Sequence, residues 1–327
     1  MNPKYTSIIR NQIKKYINTE SRYLSTQIKP NQLEILKHLR RITNEGVTSC
    51  KRALIENNWD IKLATAHILG NQQTKNISFD ENKLNYGRIS VLSDKTGNKT
   101  VAVELKTDCD IVASTQLFET VARKLVTSVF EYLEDRSREK SEKNTHIVKI
   151  SPSDLDSIPI QDSKEDTLRN LLNRTSSQFG KPLVVENIYV CEAKADEVIG
   201  SYTHKSVNSS TSKEIVGTRV GLVKLSHKEI SKEHLKRVAD LIALQAVGDP
   251  NYSSMEEFLS LNLLKYDQFK NVLSEVSKSL NVEWIEINPK ATVREALESV
   301  KTQKISEIKI KAILYMNSGK NTILLNE

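Results

Sequence analysis

Cys109 and His204 are the one pair of side chains in this sequence that suggests a nucleophile and its base. Covalent catalysis needs these two groups within hydrogen-bond reach, with a third group that orients the base. Neither residue lies in a G-x-S-x-G, H-E-x-x-H or phosphate-loop motif, so no motif supports the pair. We therefore expect a protein that performs no bond chemistry.

The three cysteines, Cys50, Cys109 and Cys191, are odd in number and far apart in the chain. This spacing fits neither a zinc quartet nor a disulfide framework, and it is typical of a reducing compartment. We expect no metal ion and no cofactor.

The segment ELKTDCDIVASTQLF, residues 104–118, could act on a partner rather than on a substrate. It lies between a predicted strand and a predicted helix, so Asp110 and Ile111 place a carboxylate and an apolar side chain at a strand–helix corner. The alternative is that Asp110 serves only as a helix N-cap or turn residue.

A β-hairpin and a long helix are expected to hold this corner. Residues 86–92 and 99–105 are predicted strands, and the turn-rich segment 94–98 joins them. The helix begins near Ser114 or Thr115. Its predicted buried face carries Leu117, Val121, Leu125, Val129 and Leu133.

A second α+β unit is predicted from about residue 164. Its first helix ends at Gly180 and Pro182. Residues 184–194, 197–205 and 220–225 are predicted strands of one small antiparallel sheet. A helix ending near Pro250 and a closing helix–strand pair complete the unit.

Residues 33–69 are predicted to form three short helices. Gly46 lies where the turn after the first helix is expected to need a positive φ, and Asp60 is a predicted N-cap of the third helix. The three apolar stripes are Ile35, Leu39 and Ile42; Val47, Cys50 and Leu54; and Ile61, Ala64 and Ile68.

Residues 1–30 carry six basic residues against one acid, together with many hydroxyl side chains. Ile9, Ile13 and Ile17 share one face of a potential helix, which is typical of a mitochondrial transit peptide. The alternative is a basic arm that touches RNA or lipid. Removing the segment lowers the formal net charge from +7 to about +2, so the basicity is weak support for nucleic-acid binding.

The rest of the composition limits the possible partners. Only 6% of the residues are aromatic and no aromatic-rich strand motif occurs, so direct nucleic-acid binding is not expected. No run of apolar residues is long enough to span a membrane, so no membrane partner is expected either.

The chain has 327 residues, which is long enough for several domains. The predicted fold class is α+β, with a three-helix bundle followed by two α+β subdomains that contain small antiparallel sheets. The predicted segments are a transit peptide or basic arm at 1–30, the bundle at 31–70, a linker at 71–84, and the N-terminal and C-terminal core subdomains at 85–160 and 161–327.

Two strings in the sequence carry a family resemblance. The pattern R-x-T-x-x-G-x-x-x-C-K-x-A-L, followed by D-I-x-x-A, resembles the N-terminal domain of translation elongation factor Ts, a relative of ubiquitin-associated domains. Glu104-Leu105, Asp110-Ile111-Val112-Ala113 and Phe118 fall on positions of the same family without gaps. The resemblance is to the mitochondrial type, and it implies that the bundle is ubiquitin-associated-like.

The resemblance implies a guanine-nucleotide exchange factor that promotes GDP release from mitochondrial elongation factor Tu during translation elongation in the matrix. Such a factor binds both the GDP-bound and the nucleotide-free GTPase. In the family, the strand–helix turn is pushed in beside the magnesium and nucleotide of the GTPase, which here implies Cys109, Asp110, Ile111 and Val112. The other implied contacts with the GTPase are Arg40, Val47, Thr48 and His204.

Several positions depart from the family pattern. Ile111 replaces the usual Phe and is a shorter, non-planar wedge. Thr48 replaces a bulky apolar residue, and Lys205 replaces a Gly. Converting a 1:99 population of the open state of the GTPase into 99:1 takes about 5.5 kcal/mol of differential affinity. The turn alone seldom supplies that much, so we expect two separate contact regions on the GTPase. Their combined interface should reach roughly 1,600 Å² or more.

One alternative remains open. The bundle could make the chain a ubiquitin-associated-domain adaptor or a nascent-chain-binding protein without exchange activity. Binding to ubiquitin chains would discriminate between the two interpretations.

Overall fold

The computed structural model describes residues 30–43, 45–73, 83–137, 147–160, 163–205, 213–283, 286–300, 306–318, 320 and 322–326. The predicted transit peptide at 1–30 lies outside these residues except for Pro30. The chain divides into two compact units, Met1–Thr74 and Lys75–Glu327. None of the helices in the described ranges is both long enough and apolar enough to cross a membrane.

The first unit contains three helices, α1 Pro30–Thr43, α2 Val47–Glu56 and α3 Ile61–Gln73. They pack around a small core to which every helix contributes. Its buried members are Leu36, Leu39, Cys50, Ala53, Leu54, Ala64 and Ile68.

The ends of these helices test three of the local predictions. Asp60 Oδ1 accepts hydrogen bonds from the backbone N–H groups of Lys62 (2.8 Å) and Leu63 (3.0 Å), so the predicted N-cap is confirmed. The predicted positive φ at Gly46 is wrong. Gly46 has φ −63° and ψ 152°, because it is the N-cap residue of α2 and takes the extended conformation of that position. Val47 is 47% exposed, so the buried stripe of α2 begins one turn later, at Cys50.

The second unit begins with the predicted hairpin. Strands β1 (Tyr86–Ser93) and β2 (Lys99–Thr107) pair antiparallel, with Tyr86 opposite Thr107. Asp94 Oδ1 closes the turn by accepting from the N–H groups of Asn98 (2.7 Å) and Lys99 (3.1 Å). The hairpin predicted from its turn-rich segment is therefore confirmed.

Helices and short strands follow the hairpin in the first half of this unit. They are α4 Asp110–Ala113, α5 Gln116–Ser137, β3 Ile147–Ile150, a 3₁₀ turn Pro152–Asp156, β4 Pro159–Ile160, β5 Ser163–Thr167, α6 Leu168–Phe179 and β6 Val184–Glu192. Gly180 ends α6 in the left-handed conformation at φ 63°, as predicted.

In the described residues of its second half, the unit has three strands, then four helices, then two strands. Its elements are β7 Glu197–His204, β8 Ile215–Gly217, β9 Arg219–Ser226, α7 Lys232–Gly248, α8 Met255–Leu259, α9 Tyr266–Ser279, α10 Val293–Glu298, β10 Lys309–Asn317 and β11 Thr322–Asn326.

Two antiparallel sheets organise this unit. The first has the order β3-β6-β2-β1-β8 and the second the order β11-β10-β9-β7; β4 and β5 pair separately. The two sheets face each other across a shared apolar layer. Helices α5 and α6 cover the outer face of the first sheet, and α7, α9 and α10 cover that of the second. The resulting four layers confirm the predicted α+β class.

The grouping of strands differs from the expectation. Strand β6 pairs with β2, and Val190 lies opposite Val101, so β6 belongs to the first sheet and not with β7 and β9. That grouping was wrong because a pairing across some eighty residues leaves no local pattern. The predicted boundary between residues 160 and 161 falls between β4 and β5, which pair with each other.

A buried lysine of the second sheet links the two sheets where the chain passes between them. Lys224 Nζ donates to the Glu197 carboxylate (2.7 Å) and to the carbonyl oxygen of Glu192 (2.8 Å). The two charged side chains are only 2% and 5% exposed. Lys224 therefore links the end of β6 to the start of β7.

Candidate partner-binding site

The strand–helix corner after β2 is built from backbone hydrogen bonds. Cys109 is the N-cap residue of α4, and its carbonyl oxygen accepts from Ala113 N–H (3.1 Å). Thr115 begins the next helix: its Oγ1 accepts from Phe118 N–H (3.2 Å) and donates to the Val112 carbonyl (2.8 Å). These bonds join the short helix α4 rigidly to α5.

The side chains of this corner divide between core and surface. Val112, Ala113 and Phe118 are buried, and Val112 and Phe118 belong to the core between the first sheet and its covering helices. Ile111 is 79% exposed, more than any other large apolar side chain in the described ranges, and Asp110 is exposed beside it. The corner thus presents one apolar and one anionic side chain on a buried, packed base.

The Asp110 carboxylate does not do what a capping residue does. Cys109, not Asp110, occupies the N-cap position. Within the described residues the Asp110 side chain makes neither a hydrogen bond nor an ion pair. The alternative of a helix cap therefore does not account for this carboxylate, which is available to a partner.

Cys109 is half-buried and packs against the core below the corner. It follows β2 of the first sheet, whereas His204 ends β7 of the second. In the part of the chain that the structure describes, no hydrogen bond joins the Cys109 thiol to His204.

Two residues that sequence reasoning missed support the corner from below. Lys181 Nζ donates to Asp108 Oδ2 (3.2 Å), which ties the residue before Cys109 to the connection between α6 and β6. The other carboxylate oxygen of Asp108 is buried and has no partner among the described residues. No local pattern relates two residues that are 73 positions apart, so only the fold reveals this contact.

Tyr86 also lies next to the corner. It is 43% exposed and pairs with Thr107, the last residue of β2, on the same face of the sheet. An exposed aromatic side chain therefore lies at the end of the hairpin from which the corner continues.

The bundle carries three of the predicted contact residues at one end. Arg40 is exposed in the last turn of α1, and Val47 and Thr48 are exposed in the first turn of α2. Because only residues 44–46 separate these two turns, the turns lie at the same end of the bundle.

His204 ends β7 and lies opposite Arg219, the first residue of β9. Its carbonyl oxygen accepts a hydrogen bond from Thr218 N–H (3.2 Å). Lys205 follows with φ 51°, so the lysine keeps the left-handed backbone that a glycine would adopt freely. A Cβ at Gly217 would overlap Thr203 Cγ2 and lie 2.7 Å from the His204 carbonyl, so only glycine allows this approach.

The environment of His204 is unfavourable to a positive charge. Partial burial, followed by repulsion from Arg219 and from Lys205, lowers the pKa of His204 below its usual value. The sequence pointed to His204 and Lys205, but Arg219 joins them only through the pairing of β7 with β9.

Comparison with known proteins supplies the remaining observation. No protein-family model matches the chain. It is 23% identical over 310 residues to the mitochondrial elongation factor Ts of Heterostelium pallidum, covering 92% of this chain and 82% of the relative. It is 22% identical over 219 residues to the human mitochondrial elongation factor Ts, covering 66% of each chain.

A bacterial relative extends the same pattern. The chain is 22% identical over 195 residues to elongation factor Ts of Mycoplasmopsis synoviae, covering 59% of this chain. The chain spans just under two thirds of the human relative, at 66%, and 60% of the bacterial one. The resemblance to elongation factor Ts is confirmed by these relatives, which include mitochondrial forms.

Proposed function

We propose that this homologue of the translation elongation factor Ts promotes GDP release from mitochondrial elongation factor Tu, in the mitochondrial matrix. The observation that carries the proposal is the exposed Asp110–Ile111 tip on a packed strand–helix corner, in a chain whose relatives are named elongation factor Ts.

The chemistry of the tip suits such a role. A carboxylate placed near a bound magnesium ion competes with the groups that support the ion and the phosphates, and an apolar side chain can wedge between them. Asp110 is available because it has no partner in the described chain, and Ile111 is exposed next to it. The protein then acts by binding alone and breaks no bond itself.

Rigidity makes the tip effective. Helix α4 is held in place by the hydrogen bond from Ala113 N–H to the Cys109 carbonyl and by the burial of Val112 and Phe118. It therefore keeps its position when the tip contacts a partner. A preorganised contact spends less of its binding free energy on ordering. That free energy is therefore available to shift the GTPase.

Linkage gives the thermodynamic form of the proposal. The chain binds the nucleotide-free GTPase more tightly than the GDP-bound form, and GDP must then bind the complex less tightly by the same factor. Arg40, Val47 and Thr48 are the proposed contacts of the bundle, and His204 that of the second sheet. No nucleic acid and no membrane takes part.

The test follows the release of a fluorescent GDP analogue from the cognate mitochondrial elongation factor Tu, in excess unlabelled nucleotide. Wild-type chain is compared with Asp110→Ala, and with Glu298→Ala as a control that removes an exposed carboxylate of α10. We expect strong acceleration by wild type and by Glu298→Ala, and much less by Asp110→Ala.

The outcomes separate function from mechanism. If Asp110→Ala still accelerates GDP release, the exchange function stands and other contacts must cause the release. No acceleration by wild-type chain, with a GTPase shown to bind nucleotide, overturns the proposal.

A specific observation supports a second candidate. In the bundle, Leu33, Val47 and Leu63 are 43%, 47% and 57% exposed, so this unit offers apolar side chains to a partner. An adaptor that binds ubiquitin or nascent chains would use such side chains. Titration with ubiquitin chains and with unfolded peptides tests it, and the absence of saturable binding would exclude it.

A further inference from the structure

The corner where β7 ends and β9 begins holds a strained residue. Lys205 has φ 51°, a left-handed conformation that costs a non-glycine residue about 1–2 kcal/mol. The hydrogen bond from Thr218 N–H to the His204 carbonyl, and the close approach of Gly217, hold the backbone there. Strain of this kind persists where the surrounding structure enforces it, and it concentrates at functional sites.

The same corner gathers positive charge without compensation. His204, Lys205 and Arg219 are sequence or strand-pair neighbours, and none of them forms an ion pair with a described residue. The adjoining segment 206–212 contains no acidic residue. Elsewhere in this unit cations do have acidic partners, as in Lys181–Asp108, Lys236–Asp240 and Arg169–Asp156.

Lys205 and Arg219 are close enough to His204 to act on its protonation. Besides partial burial, Arg219 and Lys205 both disfavour the protonated form of the His204 ring. An anionic surface placed against the corner would relieve that repulsion. The neutral histidine then also gains a proton more readily, which adds to the attraction.

We infer that His204, Lys205 and Arg219 form a basic seat for an acidic patch of carboxylates on the partner GTPase, away from its nucleotide. This inference rests on the proposed function. It goes beyond that function because it names the chemistry of the second contact and adds Arg219 to it.

A protein surface is favoured over a nucleic acid as the occupant. Two cations and one histidine are few compared with the six to ten phosphate contacts of typical nucleic-acid-binding proteins. The one aromatic residue of β7, Tyr202, packs against the core of the second sheet, so it offers no stacking platform.

The expected effect is moderate and depends on salt. An exposed ion pair strengthens binding about 1.4- to 5-fold, so loss of two cations should weaken it about 2- to 25-fold. Charges at the rim of an interface act mainly on the association rate and on its salt dependence.

The experiment measures the affinity of the full chain for nucleotide-free GTPase at 50 and 200 mM KCl. The test variant is Lys205→Gly/Arg219→Ser, which removes two positive charges. Glycine at position 205 adopts the left-handed backbone conformation there without strain. Arg219→Lys keeps the charge. Lys228→Ser removes an exposed lysine just beyond the opposite end of β9 and serves as the matched control.

We expect the double variant to bind more weakly with a shallower salt dependence, while Arg219→Lys and Lys228→Ser behave as wild type. Equal affinity and equal salt dependence of the double variant and wild type would overturn the inference and leave the exchange function standing. Wild-type chain that fails to bind the GTPase would overturn both. If the double variant binds a single-stranded RNA oligomer more weakly than wild type does but binds the GTPase equally well, the inference is also overturned.

Discussion

Replacing Ile111 with alanine separates partner contact from folding, because this residue is 79% exposed in the free chain. The substitution removes the three carbon atoms beyond Cβ. Each buried carbon contributes about 0.8 kcal/mol, and 79% of the residue is exposed before binding. If the partner covers the side chain completely, the substitution weakens binding by about 1.9 kcal/mol. That corresponds to about a 20-fold lower exchange efficiency, since about 1.4 kcal/mol is tenfold.

The assay is the rate of GDP release as a function of chain concentration, with thermal unfolding measured in parallel. We expect Ile111→Ala to lose exchange efficiency while its stability stays within about 0.5 kcal/mol of wild type, because an exposed side chain contributes little to the core.

The matched control is Val112→Ala, one position further along α4. Val112 is 8% exposed, so its truncation removes buried carbons and should cost about 1.5 kcal/mol of folding free energy or more. The reasoning is refuted if Ile111→Ala exchanges within about twofold of wild type. It is also refuted if Ile111→Ala unfolds as easily as Val112→Ala.

Three further predictions concern the folded chain. Lys205→Gly relieves the left-handed backbone at φ 51°, so urea unfolding should show a gain of about 1 kcal/mol; a loss would contradict the strain. Lys224→Met leaves the Glu197 carboxylate buried without its partner and should cost about 3–5 kcal/mol, most of which the double variant with Glu197→Leu should recover in the same unfolding assay. Alkylation at pH 8 followed by mass spectrometry should label Cys109 but not Cys191, because burial raises the pKa of Cys191 to about 12 and denies the reagent access; native labelling of Cys191 would show that the interior opens. The GTPase should protect Cys109 if it covers the corner.

Local signals predicted the parts of the fold that depend on neighbours in sequence. The N-cap at Asp60, the left-handed end of α6 at Gly180 and the β1–β2 hairpin all follow from hydrogen bonds and turn chemistry within a few residues. Gly46 fails the same reasoning for a physical reason: glycine also serves extended N-cap positions, and its identity alone does not select the sign of φ.

Pairing between distant strands could not be predicted in this way. The place of β6 beside β2, and of Arg219 opposite His204, depends on sheet topology, which a local pattern does not encode. The candidate site shows the same division. Sequence spacing placed Asp110 and Ile111 together at the corner, but the support from Lys181 comes from a connection 73 residues away. The sequence indicated the candidate residues of the corner, but not the groups that hold them in place.

If the chain promotes exchange as proposed, Ile111 alone contributes too little free energy, so a second contact is needed. Reversing a 1:99 population takes about 5.5 kcal/mol, and Ile111 supplies about 1.9 kcal/mol of that at most, which leaves about 3.6 kcal/mol to other groups. Asp110 and the basic seat can contribute together because the two sheets share one buried layer and are tied by Lys224. Since both contacts belong to the same compact unit of this chain, binding spends no free energy on ordering one contact relative to the other. In the proposed complex, the fixed spacing between Ile111 and the basic seat therefore lets binding at the seat favour penetration at the corner.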